Sequence, residues 1–188
     1  MYDEDIWLEP KPIESINTES HDACIALSID GQTLFMYNNS EENGGDIYYS
    51  RLDGDEWGVP VPLPGEVNTK YWEGHMTISS DEKVMYFSSD RPGGLGGRDI
   101  YKAEKLANGE WGNVTNLGPT INTSKNEDAP YLHLDKRTLY FSSEGFNSMG
   151  GYDVFYSEID NGEWTEPINM GCPINTTEND KFYVYMDE

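Results

Sequence analysis

Ser88-Ser89-Asp90-Arg91-Pro92-Gly93-Gly94-Leu95-Gly96-Gly97-Arg98-Asp99-Ile100-Tyr101 is the stretch from which the fold can be read. A short apolar run, Val84-Met85-Tyr86-Phe87, leads into it. Residues 140–155 repeat the pattern as Y-F-S-S-E-G-F-N-S-M-G-G-Y-D-V-F. Residues 35–48 hold a worn copy, F-M-Y-N-N-S-E-E-N-G-G-D-I-Y. Three copies of strand, polar Gly-rich loop, aspartate and strand define a repeat protein.

Working outward, other landmarks keep the same period. Trp7, Trp57, Trp111 and Trp164 are separated by 50, 54 and 53 residues. The Asn-Thr pairs beginning at Asn17, Asn68, Asn122 and Asn175 are separated by 51, 54 and 53, and Asp46, Asp99 and Asp153 by 53 and 54. A unit of this size cannot bury its apolar face alone and must stack on its neighbours.

The units divide as residues 19–69, 70–123 and 124–176. Residues 1–18 are expected to end a preceding blade, because Trp7-Leu8-Glu9-Pro10 matches Trp164-Thr165-Glu166-Pro167. Residues 177–188 are expected to begin a further one, with Lys181 to Met186 as its first strand. Within each unit four strands are predicted. The innermost are Ala23 to Leu27, His75 to Ser79 and Ala129 to His133. Ala23-Cys24-Ile25-Ala26-Leu27 has the apolar density of a strand buried on both faces. Asp30-Gly31, Asp53-Gly54, Asn108-Gly109 and Asn161-Gly162 are hairpin signals. Pro60, Pro62 and Pro64 confine the fourth strand to an edge, since proline cannot donate a ladder hydrogen bond. No long 3.6-residue apolar period occurs, so the chain is all-β. Four antiparallel strands per unit joined by tight turns make a propeller blade.

The pattern S-S-x-R-x-G-G-x-G-G-x-D-I-Y, then G-E-W-x-x-P, then L-G-x-x-I-N-T resembles the WD-forty-like, TolB-type β-propeller repeat of bacterial envelope proteins. The resemblance covers essentially the whole chain. It implies a non-enzymatic binding or scaffold module of the periplasm or outer membrane, with a protein or envelope glycan as ligand. Such repeats often precede an OmpA-like domain, which has no counterpart in this sequence. The other class in play is an enzyme, either a propeller-type glycoside hydrolase or a propeller that gates a hydrolase. Propellers close with about four to eight blades, so the expectation is a segment of a larger propeller. Self-association to complete a ring is the second expectation.

Composition narrows the partners. Thirty-five acidic residues against 12 basic ones give a net charge of -23. A phosphate backbone needs a basic face, so nucleic acid is disfavoured. No segment has the run of about 18 to 20 apolar residues that a spanning helix requires, and Met1-Tyr2-Asp3-Glu4-Asp5 has neither the basic nor the apolar part of an export signal. Aromatic residues make up 13% of the chain and fall on repeated positions, which argues for a packed core. Cys24 and Cys172 lie at different phases of the repeat and are expected to be unpaired.

Asp46, Asp99 and Asp153 each follow a Gly-Gly and open a strand. Recurrence in every unit makes them architectural caps that accept loop N–H groups. No cofactor or metal is expected: the RTX-type calcium spacing, the P-loop lysine and the G-x-S-x-G elbow are all missing. His21, His75 and His133 fall at different phases, so they make no repeated metal ring. Trp57, Trp111 and Trp164 are packing anchors of the outer strand. Tyr71 and Trp72 depart from the repeat on a connector, where a binding surface would place aromatics, and Trp72 could equally cover an inter-blade gap. Arg91, unique to the second unit, is the third singular residue, with a salt bridge as its structural role.

Overall fold

The computed structural model describes residues 2–3, 6–7, 9–19, 21–39 and 44–185. Among them there is no α-helix. β1 (Tyr2–Asp3) and β2 (Ile6–Trp7) form a short antiparallel hairpin. The first blade is β3 (His21–Leu27), β4 (Thr33–Asn39), β5 (Asp46–Asp53), β6 (Glu56–Trp57) and β7 (Val61–Pro62). β8 (Glu73–Ile78), β9 (Val84–Ser89), β10 (Asp99–Lys105) and β11 (Trp111–Asn116) make the second. The third is β12 (Glu127–Leu132), β13 (Thr138–Ser143), β14 (Asp153–Asp160), β15 (Glu163–Trp164) and β16 (Ile168–Asn169). Each blade is an antiparallel meander, and β3, β8 and β12 lie innermost, with β8 in contact with both of the others.

The fourth strand is continuous only in the second blade. In the first, β6 and β7 pair separately with β5; in the third, β15 and β16 pair separately with β14. Pro60 and Pro167 interrupt those two, whereas Trp111-Gly112-Asn113-Val114-Thr115-Asn116 has no proline. The β1–β2 hairpin repeats the β5–β6 register: Tyr2 faces Trp7 as Leu52 faces Trp57. In the third blade's turn, Asn161 and Gly162 have φ of 51° and 89°, the left-handed pair that a tight hairpin demands.

Blades stack through two apolar clusters. Phe35 and Leu63 of the first blade pack with Met76, Met85, Phe87 and Trp111 of the second. Tyr86 and Ile100 of the second pack with Leu132, Leu139, Phe141 and Phe155 of the third. Trp111 is buried across the first joint, and Trp164 meets Tyr86 edge-on at 5.9 Å across the second. Trp57, half-buried, packs on Ile16, Leu34 and Met36.

Polar ties of fixed form lock each blade to the connector that follows it. The side chains of Asn68, Asn122 and Asn175 bridge both backbone groups of Ile47, Ile100 and Val154 at 2.7 to 3.0 Å, standing in for a neighbouring strand. The loop before the repeated aspartate pairs with the next connector: Gly97 N–H donates to Lys125 O at 2.8 Å and Glu127 N–H to Arg98 O at 2.8 Å. Gly151 and Glu178, then Asp180 and Tyr152, repeat this at the third blade. The glycines are explained by that approach. A Cβ on Gly96 would stand 1.9 Å from Lys125 O, and one on Gly150 2.2 Å from Glu178 O.

Two expectations need correction. The run from Ala23 to Leu27 is not buried on both faces; Ala23, Cys24 and Leu27 are exposed, because no described residue packs over that side of β3. The segment from Lys181 to Tyr185 is not a strand, and Met186 lies outside the described residues. The segment lies beside β12 and β13 through aromatic contacts. Tyr183 and Tyr185 stand 5.1 and 6.5 Å from Tyr140. Tyr131 Oη donates to Tyr185 O at 2.9 Å.

Candidate functional site

Four residues after the threonine of every Asn-Thr pair stands an acid: Asp22, Glu73, Glu127 and Asp180. Each carboxylate accepts both the N–H and the hydroxyl of its threonine, from Thr18, Thr69, Thr123 and Thr176, at 2.6 to 3.0 Å. Ser89 and Ser143 add a third donor to Glu73 and Glu127. This latch was not singled out from the sequence, although its spacing of 51, 54 and 53 matches the Asn-Thr pairs. Glu127 is fully buried with no cation paired to it among the described residues, and burial pushes its carboxyl above the usual range.

Arg91 belongs to the corresponding latch of the second blade. Its guanidinium reaches Glu73 at 3.2 Å, donates to Val67 O and Ser89 Oγ, and lies 4.9 Å over Phe87 and 5.1 Å over Tyr101. These contacts are structural and turn it inward. Tyr71 lies beneath Lys70 at 5.2 Å and joins no other candidate residue. Asp99 accepts from Leu95 N–H at 2.6 Å, Gly96 N–H at 3.0 Å and Asn116 Nδ2 at 2.7 Å. Asp153 accepts from Met149 N–H at 2.6 Å and Asn169 Nδ2 at 3.0 Å. The loop preceding Asp46 lies partly outside the described residues.

Trp72 occupies the place that Asn126 and Asn179 hold in the other connectors, so it replaces a repeat position. Its indole N–H donates to Tyr37 Oη at 3.1 Å, the Arg98 guanidinium lies 4.0 Å over its ring, and His75 meets it edge-on at 5.7 Å. It therefore covers the joint between the first two blades and also borders a charged cluster.

Asp128 is the centre of that cluster. Its carboxylate is fully buried and takes five donors: His75 Nδ1 at 2.6 Å, Ser88 Oγ at 2.8 Å, Ala129 N–H at 2.8 Å, Arg98 Nη1 at 3.1 Å and Lys181 Nζ at 2.8 Å. Burial works against its ionised form, but the hydrogen bond and charge of His75 and then of Lys181 outweigh it, holding the carboxyl well below the ordinary range. Lys181 also caps the Tyr152 ring at 3.9 Å, and Phe182 meets His75 edge-on at 4.8 Å. Burial, then Glu144 and Asp128, push the Tyr152 hydroxyl up to about 12. His75, Asp128 and Lys181 are successive by one repeat, 53 residues apart, on adjacent innermost segments. No sequence signal marked them, because the repeat aligns three different residue types there.

His75 and Phe182 also stand on the wall of a groove of about 590 Å³. Ala23 to Leu27, Met76 to Ile78 and Ala129 to Leu132 line it, together with Ile29 and Leu134. It is the inner face of the stacked blades, and Leu27, Ile29, Leu134, Phe182 and Val184 are exposed there.

With fold and site in place, the fold is that of β-propeller blades similar to those of TolB proteins. The chain is similar to a putative TolB from Agrobacterium tumefaciens, with 16% identity and a TM-score of 0.57, over 86% of this chain and 55% of that one. It is similar also to TolB from Acinetobacter baumannii, with 14% identity and a TM-score of 0.53, over 81% of this chain and 33% of that one. At these identities the likeness is one of fold, and the chain spans about half and a third of their lengths. No protein-family model and no curated protein sequence matches the chain.

Proposed function

We propose that this chain is a non-catalytic binding module of the bacterial cell envelope that takes an apolar segment of a protein into the groove along β3, β8 and β12. The observation that carries this reading is the groove itself: apolar side chains line it, and several are exposed. Exposed apolar surface in a concave site is what a partner's side chains would cover. Trp72 does not serve as a sugar platform, because Arg98 already lies over its ring. Ser88 and His75 both bond Asp128, an arrangement that supports a structural network and differs from a serine–histidine relay. The envelope location follows from the repeat's resemblance.

The test is an array of apolar peptides tethered through either end, beside a glycan array, probed with the parent chain and with Leu27→Glu. Peptide binding by the parent and its loss in Leu27→Glu, at unchanged melting temperature, is expected. Binding to glycans alone, or peptide binding that ignores Leu27→Glu, overturns the reading.

A further inference from the structure

Two permanent cations, Arg98 and Lys181, and one histidine face the single carboxylate of Asp128. Two permanent cations so close together stand out in a chain whose net charge is -23, although Glu144 and Glu127 also act on the Tyr152 ring that Lys181 caps. All three are reachable from outside: the side chains of Arg98, His75 and Lys181 are 36%, 26% and 21% exposed, whereas Asp128 is at 0%. Among the described residues, Arg98 uses only Nη1 of its guanidinium, on Asp128, so the rest of its donor fork is unengaged. The same carboxylate and the Trp72 ring hold that fork in place. Lys181, seated between Asp128 and Tyr152, is fixed in the same way. His75 bonds Asp128 and also lines the apolar groove, so these preorganised cations adjoin it through one shared carboxylate, and cations beside an apolar groove suit an anion attached to an apolar body.

We infer that the module recognises the free C-terminus of its partner: the terminal carboxylate meets Arg98 and Lys181, and the last apolar side chains enter the groove past His75 and Phe182. This rests on the reading that the ligand is a protein segment and specifies which segment. An internal segment would offer the unengaged donors of Arg98 a neutral amide in place of a carboxylate, a weaker acceptor for a charged donor. Phe182, 61% exposed and edge-on to His75, would close over the final side chain. Capture of a terminal carboxylate is an established way for a domain to read a peptide end.

The test compares two fluorescein-labelled short peptides that end in Ala-Leu-Phe, one with a free carboxylate and one amidated, titrated against the 188-residue chain. The acid is expected to bind more tightly than the amide by roughly tenfold to a hundredfold, the range of one or two charge-assisted hydrogen bonds. Raising the salt concentration should narrow that ratio. Arg98→Gln should also narrow it, through weaker binding of the acid. Equal binding of acid and amide to the parent overturns carboxylate recognition while leaving the protein-ligand reading intact. Failure of both peptides overturns the two together. Competition by decanoate at the peptide's own affinity makes the site one for lipid carboxylates and overturns the peptide C-terminus as occupant.

Discussion

Glu127 and Asp128 are neighbours on β12, both fully buried, and they belong to different parts of the molecule. Glu127 faces its own connector and takes Thr123 and Ser143, neutral donors repeated from blade to blade. Asp128 faces the preceding blade and the chain's last segment and takes His75, Arg98 and Lys181, which occur once. Burial raises the first carboxyl, whereas charged partners lower the second in spite of burial. The lesson is that a repeated polar residue holds the architecture, while an aperiodic one of equal burial marks a place where the blades differ.

That contrast can be broken at several points. The largest effect is expected from the architecture. Trp111→Ala should cost about 3 to 5 kcal/mol in denaturant unfolding, the range for truncating a buried aromatic, since the side chain is 3% exposed at the first joint. Trp72→Ala should cost clearly less, as that side chain is only partly buried and has the Arg98 guanidinium over its ring. Equal midpoint shifts would erase the division between anchor and site tryptophans.

Asp128→Asn should cost about 2 to 4 kcal/mol, because Arg98 and Lys181 lose their counter-charge. Glu127→Gln should cost about 1 kcal/mol or less, since the amide keeps an acceptor for Thr123 and the hydroxyls can turn to accept. If the two variants unfold alike, the distinction between repeated and singular carboxylates fails.

A smaller contrast lies between the repeated aspartates. Asp99 accepts through both oxygens, whereas Asp153 Oδ1 is buried with no hydrogen-bond partner among the described residues. Asp99→Ala should cost about 1 to 3 kcal/mol and Asp153→Ala less, with Asp99→Asn milder than Asp99→Ala. Added calcium should leave all three melting temperatures where they were. A calcium-dependent rise that Asp99→Asn abolishes would turn the caps into metal ligands.

Acid titration should give the smallest effect and the clearest sign. Asp128 has a depressed folded-state pKa, so its stability is present above the unfolded value near 4 and is lost as pH falls below it. Between pH 5 and pH 3 the parent should lose about 1 kcal/mol more than Asp128→Asn. Glu127, raised in the folded state, acts oppositely: its contribution is present at low pH and lost on going upward through the unfolded value. Glu127→Gln should therefore lose more stability on acidification than the parent. Chemical unfolding at stepped pH reads both signs at once.

The sequence by itself determined the repeat, its phase, the all-β class and the blade as its unit. It also placed the prolines that split two outer strands and the anchoring tryptophans. Those features are local or periodic: strand alternation, hairpin dipeptides and a fixed spacing survive in one dimension. The latch from threonine to the acid four residues on is equally legible at that spacing, though its acid is Asp in the outer two copies and Glu in the inner two. Only the tertiary structure decided that Arg91 turns inward, that the Gly-Gly pairs admit a neighbouring backbone, and that His75, Arg98, Asp128 and Lys181 meet. Stacking brings residues one repeat apart into contact across a joint. Where the repeat puts histidine, aspartate and lysine at nearby phases, no one-dimensional pattern records that they pair.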